Sequence, residues 1–304
     1  MSDMIKIGTR GSPLALVQAR ETRTRLMAAL GWEENQFEIV VIKTTGDLIR
    51  DRPLSEIGGK GLFTKELEEA LVAGTIDLAV HSMKDMPAKL PDGLKIGAVL
   101  PREDVRDAFI SFAAQDLHGL PAAARLGTSS VRRTAQALRM RPDLLPMAFR
   151  GNVDTRLQKL KDGVADATFL AAAGLKRLGL QAHITSYIEI DDMMPALAQG
   201  AVGLEITQNS KISDLVAKID HAQSHFAVTC ERAFMAALDG SCRTPIAGHA
   251  VITSDQLSFR GEALTLDGKH VFKTARSGSV SDAAKMGHDA GVEVRKNGGT
   301  LLTL

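Results

Sequence analysis

Between Arg125 and Arg156 the chain carries seven arginines and two acids, Asp143 and Asp154, a local balance of +5. Arg132 and Arg133 follow Gly127-Thr128-Ser129-Ser130-Val131, and Arg150 and Arg156 flank Gly151-Asn152-Val153-Asp154-Thr155. Hydroxyls and free N–H groups at a helix start bind anions, and a guanidinium fork clamps a carboxylate with two parallel hydrogen bonds. More cations and hydroxyls stand where other apolar runs end, in Thr9-Arg10-Gly11-Ser12, His81-Ser82-Met83-Lys84-Asp85 and Lys176-Arg177. Thr128 and Ser129 would serve equally well as helix caps, and any single arginine as a solvated one. Repetition at successive run ends favours a small polyanionic ligand.

Asp85 precedes Met86-Pro87 and reads either as a turn aspartate or as a carboxylate that moves protons or steadies a cation. Cys242 lies in Asp239-Gly240-Ser241-Cys242-Arg243-Thr244-Pro245, a loop pattern whose arginine favours thiolate. Cys230 shares helical spacing with Ala233, Phe234 and Ala237 and reads as a buried small hydrophobe. Two cysteines without a CxxC pair give neither a disulfide framework nor a zinc site. His221 and His225 are four apart, but Ala222 stands where HExxH needs Glu, so no metal is expected. Gly58-Gly59-Lys60-Gly61-Leu62-Phe63 fits neither GxxxxGK[ST] nor GxGxxG, leaving a loop with one lysine.

The elements that must position these groups alternate. Apolar runs at 4–7, 37–43, 75–80 and 94–100 interleave with helical patterns at 13–30 and 62–73. A second series follows Pro101, with strands at 123–126, 146–149 and 166–172 and helices at 130–140 and 153–161. Such alternation predicts mostly parallel sheets, which bind ligands beyond the carboxyl ends of their strands. A strand at 200–206 and a helix at 213–219 come next, then a helix at 222–238. From about Ser241 the pattern becomes antiparallel, at 247–253, 257–266 and 270–276, with Asp267-Gly268 as a hairpin turn and a closing helix at 281–297.

Across 304 residues, 37 Lys+Arg against 36 Asp+Glu leave a formal charge of +1, so the cationic surface is hidden in a near-neutral total. Aromatics make up only 4%, with one Trp and one Tyr, which argues against stacking platforms for nucleic acid. The longest weakly polar run, 167–175, is too short to span a bilayer, and no stretch of signal-peptide length opens the chain. A soluble, cytoplasmic protein with no membrane or nucleic-acid partner is expected. A solute-binding protein with a two-domain cleft would also explain the strand-end arginines, but not Cys242 on its loop.

The ordered set of motifs, completed by Ala173-Gly174-Leu175-Lys176-Arg177-Leu178-Gly179 and Gly240-Ser241-Cys242-Arg243-Thr244-Pro245-Ile246, resembles the hydroxymethylbilane synthase (porphobilinogen deaminase) family from Ile7 to about Ala247. The resemblance implies an α/β fold, with two periplasmic-binding-protein-like domains flanking a cleft and a small α+β C-terminal domain. The boundaries would be 1–100 with 195–220, 101–194 and 221–304. It implies a dipyrromethane cofactor joined to Cys242 by a thioether, no metal, and a monomer acting on porphobilinogen and the growing pyrrole chain. Four porphobilinogen molecules would be added with loss of ammonia, and the linear tetrapyrrole then hydrolysed off. Asp85 matches the family's catalytic aspartate and would also contact the cofactor, with Lys84, Ser130, Arg132 and Arg133. Arg10, Ser12, Lys60, Arg150, Arg156, Arg177 and Gln199 would bind substrate. Ala198 and Ser241 replace glycines usual in the family and imply adjusted loop geometry.

Overall fold

Ile5–Arg10 forms β1, and Ser12 then starts α1 (Pro13–Leu30) by accepting the Ala15 N–H. Pro13 occupies the first turn, where its missing N–H costs nothing. Gly31 closes the helix at φ +67°, its N–H donating to the Met27 carbonyl. Ala15, Gln18, Ala19, Thr22 and Leu26, three or four apart, are the face α1 buries. The computed structural model describes residues 4–48, 61–239 and 244–302. Lys60, Ser241, Cys242 and Arg243 lie outside the described residues.

The main elements continue as β2 (Phe37–Ile42), α2 (Lys65–Val72), β3 (Leu78–Ser82), β4 (Leu94–Val99), β5 (Asp107–Ser111) and β6 (Arg125–Gly127). Next come α3 (Val131–Met140), β7 (Leu145–Met147), α4 (Val153–Lys161), β8 (Ala167–Ala171), α5 (Ala172–Arg177) and β9 (Ser186–Tyr187). The chain ends with β10 (Val202–Thr207), α6 (Ser213–Ala217), α7 (Ala222–Ala237), β11 (Ile246–Thr253), β12 (Gln256–Leu264), β13 (Val271–Ser279) and α8 (Ala283–Gly298).

These strands form three sheets, ordered β2-β1-β3-β10-β4, β7-β6-β8-β5-β9 and β11-β12-β13. In the first, β1 pairs in parallel with β2 and β3, and β10 runs antiparallel to both β3 and β4. The second repeats the plan, with β6 parallel to β7 and β8, and β5 antiparallel to β8 and β9. Each is thus mostly parallel, with one reversed strand. Two strands differ from the sequence pattern: β5 and β9 were not expected, because β5 holds only three apolar residues between polar ends and β9 is two residues long. The third sheet is fully antiparallel, and its last hairpin turns at Gly268, φ +71°. The molecule is α/β, with two domains built on mixed sheets and a small α+β C-terminal domain.

By contacts the chain divides into two units, Met1–Glu103 with Gly200–His225 and Asp104–Gln199 with Phe226–Leu304. The first buries Ile7, Leu26, Leu78, Val80, Leu204 and Ile206 in one cluster. In the second, alternate β5 residues feed opposite faces of the sheet: Phe109 packs with Leu126 and Phe169, Ile110 with Phe149 and Leu170. A further cluster joins α7 and α8 to the antiparallel sheet around Phe234 and Phe259, whose ring centroids lie 5.0 Å apart.

Helices α7 and α8 approach closely because Gly287 and Gly291 lack side chains. A Cβ at Gly287 would sit 2.0 Å from the Cys230 carbonyl oxygen, and one at Gly291 2.7 Å from that of Phe234. Backbone cannot yield as a side-chain tip can. Gly287→Val should therefore destabilise the fold by about 1–3 kcal/mol, read as a lower urea midpoint.

Candidate functional site

In the first unit, the carboxyl ends of β1 and β3 and the start of α1 frame a pocket lined by Arg10, Ser12, Gln18, Phe63, His81, Ser82 and Asp85. The Arg10 guanidinium lies 4.1 Å above the centroid of the Phe63 ring, a cation–π contact that orients it. Ser12 is both a helix cap, accepting from Ala15 N at 3.3 Å, and a lining residue. Gln18 Nε2 donates to Ser82 Oγ at 2.9 Å across the pocket wall. Strand β3 runs on to Ser82, so His81 and Ser82 belong to it rather than following it. Asp85 ends the single helical turn Met83–Asp85; it is exposed, and its carboxylate has no partner among the described residues. Lys84 beside it is also exposed.

In the second unit the expected cations gather on a residue that sequence reasoning missed. Ser130 caps α3 by accepting Arg133 N at 3.4 Å, which sets Arg132 and Arg133 in its first turn. Both side chains turn inward, 5% and 7% exposed, onto fully buried Asp107 of β5. Arg133 donates through Nη2 (2.6 Å) and Nε (3.2 Å) to Asp107 Oδ1, and through Nη1 to the Phe169 carbonyl at 3.0 Å. Arg132 Nη2 lies 2.8 Å from Oδ2, and its Nη1 donates to the Met194 carbonyl at 2.8 Å. Gln199 Nε2 donates to Asp107 Oδ1 at 2.9 Å and to the Val105 carbonyl at 2.8 Å. Burial alone would raise the Asp107 pKa, but Arg132 and Arg133 outweigh it and hold the carboxyl well below the usual range. Burial pulls Arg132 down from its ordinary value, yet an arginine stays charged. Buried Glu262 acts electrostatically on Arg132 as well, and Arg132 Nε is buried without a hydrogen-bond partner among the described residues.

The other expected residues are placed less deeply. Gly151, at φ +124°, and the cap Asn152 turn the chain into α4, and Arg156 Nε donates back to the Gly151 carbonyl at 2.9 Å. Arg150 is partly exposed, its carbonyl accepting Lys159 Nζ at 3.0 Å; Arg177, also partly exposed, ends α5. Nearby, Arg106 and Lys176 hold Asp104, at 2.9 Å and 3.1 Å. Burial opposes this, but those bonds bring the Asp104 carboxyl down to about 2. Cys230 is fully buried, and burial pushes its thiol up to about 12. His221 Nδ1 pairs with Ser224 Oγ and His225 Nδ1 with Asp220 Oδ1, both at 2.9 Å. Among the described residues no cluster of His, Cys, Asp or Glu could hold a metal ion, and no helix is long and apolar enough to cross a membrane.

Asp107 escaped sequence reasoning because Asp104-Val105-Arg106-Asp107 reads as a solvated charged run. The available signal was the apolar triplet Ala108-Phe109-Ile110 behind it, a short strand that must bury its first residue.

Residues 5–214 match the family model "Porphobilinogen deaminase, dipyromethane cofactor binding domain", and residues 225–296 match "Porphobilinogen deaminase, C-terminal domain". The chain belongs to the porphobilinogen deaminase family. It is 56% identical to the porphobilinogen deaminase of Paracoccus denitrificans, over 96% of this chain and 93% of that one. It is 53% identical to the chloroplastic porphobilinogen deaminase of Pisum sativum, over 97% of this chain and 82% of that one. Among solved structures it is similar to substrate binding domain 2 of Lactococcus lactis GlnP, with TM-score 0.42 and 12% identity over 77% of this chain and 90% of that one. It is also similar to the periplasmic aliphatic sulphonate binding protein SsuA of Escherichia coli, with TM-score 0.42 and 14% identity over 79% and 71%.

Two outcomes test these ion clusters, the buried one at Asp107 and the shallower one at Asp104. Asp107→Asn leaves two buried guanidiniums opposed and should cost about 3–5 kcal/mol in urea denaturation at neutral pH. Asp104 falls from 3.8 to about 2 on folding, so its stabilisation is complete above pH 3.8 and lost as pH drops towards 2. Asp104→Asn should flatten the decline of Tm across that acid window; an unchanged slope would remove Asp104 from the account.

Proposed function

We propose that the chain is a hydroxymethylbilane synthase, condensing four porphobilinogen molecules head to tail on a dipyrromethane cofactor, releasing ammonia each time, and hydrolysing off the linear tetrapyrrole. The observation that carries this reading is the match of residues 5–214 to the family's cofactor-binding domain. The charge distribution suits it: every pyrrole ring of substrate and product bears two carboxylates, and the described cations stand at strand and helix ends. The guanidiniums of Arg132 and Arg133, with Arg132 Nε unpartnered among the described residues, fit a group that brings carboxylates of its own. When bound, dipyrromethane supplies the pyrrole carbon to which the first substrate is joined.

In this reading Cys242 is the attachment point, and Lys84, Asp85, Ser130, Arg132 and Arg133 hold the cofactor. Arg10, Ser12, Lys60, Arg150, Arg156 and Arg177 hold substrate carboxylates, and Gln199 acts through the arginine pair. Asp85 is the catalytic group. Loss of ammonia leaves an electron-poor pyrrole, and a carboxylate without a competing partner is placed to offset its positive charge. Cys230 is a poor rival for Cys242, since a buried thiol raised to about 12 is not a thiolate near neutrality. Gln199, which ties Asp107 to the backbone at 105, keeps the arginine pair in position. The division into 1–100 with 195–220, 101–194 and 221–304 is kept, supported by three separate sheets. A cytoplasmic monomer with neither membrane nor nucleic-acid partner accords with the near-neutral charge.

Intact-mass measurement of denatured protein should show two linked pyrrole units on the native chain and none on Cys242→Ser. If the Cys242→Ser chain carries the added mass, the attachment point is wrong. Asp85→Asn should keep the cofactor mass and the native Tm while turnover falls by about 10²–10⁴.

A further inference from the structure

Beneath the Asp85 pocket lie an imidazole and two carboxyl groups that the reading above does not use. His81, on β3, lines the pocket and is 5% exposed. Its Nε2 lies 3.0 Å from Oε2 of Glu205, which is fully buried on β10. Gly203 stands opposite His81 and Ala79 opposite Glu205, so the two side chains meet diagonally on one face of the sheet. Glu68, on α2, is 9% exposed beside them. Burial pushes its carboxyl up; Thr64 and His81 pull it down, while Glu205 and Glu66 raise it further. Oε1 of Glu205 and Oε1 of Glu68 are both buried with no hydrogen-bond donor among the described residues. Oxygens so placed lack the donors that ordinarily compensate a buried carboxylate. Among the described residues, the other charged groups lining the pocket are Arg10, from β1, and Asp85.

The reaction needs a group that carries a proton. Porphobilinogen enters with its aminomethyl nitrogen as ammonium; the C–N bond breaks with its electron pair on nitrogen, freeing ammonia. A C–C bond forms to the acceptor ring, whose ring carbon then loses its proton. Returning that proton to ammonia gives ammonium and leaves the protein unchanged, so atoms and charge balance. Asp85, exposed and facing the cation, already has the electrostatic task. The His81 cluster offers a second place for the proton, close by and shielded from bulk water.

We propose that His81 is the proton carrier of this pocket, taking the proton from the ring carbon and passing it to the freed ammonia. Glu205 and Glu68 are its positioning residues: Glu205 fixes the imidazole through Nε2, and Glu68 balances the charge of the pair as the proton moves. This rests on the reading of the Asp85 pocket as the reaction site.

The test uses holoenzyme with 15N-labelled histidine. The His81 signals, picked out from the eight histidines by His81→Asn, are followed from about pH 6 to 9 in the wild type, Glu205→Gln and Glu68→Gln. The pH dependence of kcat and kcat/KM is measured in parallel. The expected result is a His81 tautomer and titration altered by Glu205→Gln, with kcat lowered about 10²-fold, KM little changed and one limb of the pH profile displaced. Should His81→Asn lose its cofactor mass or fold, the near-isosteric Glu205→Gln decides by the same readings. The proposal is overturned if Glu205→Gln leaves the His81 spectrum and the pH profile superimposable on the wild type. Asp85→Asn separates the two readings. If it is inactive while the His81 and Glu205 variants keep the native profile, only the carrier fails; if it turns over normally, the pocket itself is misassigned.

Discussion

A carboxylate with no exposure, Asp107, is held between two guanidiniums and an amide, and much of the second unit meets at that point. Strand β5 brings the acid, α3 the arginines, β8 a carbonyl for Arg133, and the segment ending at Gln199 the amide. Removing such charges from water is expensive, and their attraction repays it only if the remaining donors are satisfied. Nearly all are. The exception among the described residues is Arg132 Nε. The cluster thus fixes two rotamer-rich side chains in advance, and in the proposed reading binding spends little entropy on ordering them.

The first unit treats its key acid in the opposite way. Asp85 is exposed and unpartnered among the described residues, while the neighbouring His81, Glu205 and Glu68 are buried. In the role proposed for Asp85, meeting a transient cation, lacking a standing counterion is a gain, because a resident partner would have to be displaced first. Burial likewise makes Cys230 a poor nucleophile, which accords with the proposal that Cys242 is the attachment point.

Most of this architecture was legible in the amino-acid pattern where signals are local. Pro13 with Ser12 and Gly31 bounds α1 at both ends, Ser130 and Asn152 open α3 and α4, and Gly268 marks the last hairpin. Strand β5 was not legible, because its first residue is an acid whose partners lie 25 or more positions away. The His81–Glu205 pair was hidden for the same reason, its members standing 124 positions apart. Likewise, periodicity could locate β10 but not its place between β3 and β4, since pairing is set by tertiary packing. Strand-end cations could be found by spacing; the acids that orient them could not.

The two mixed sheets share one plan, yet they are assembled from the chain differently. All five strands of the second come from residues 107–187, whereas the reversed strand of the first, β10, comes from 202–207 and inserts between strands made more than a hundred residues earlier. On a ribosome, the second sheet has all its strands available while β3 and β4 still expose unpaired edges. Such edges are templates for wrong pairing, and the wait for β10 is the interval in which the nascent chain is most exposed to aggregation. The order of synthesis thus makes the amino-terminal domain the last of the two to close.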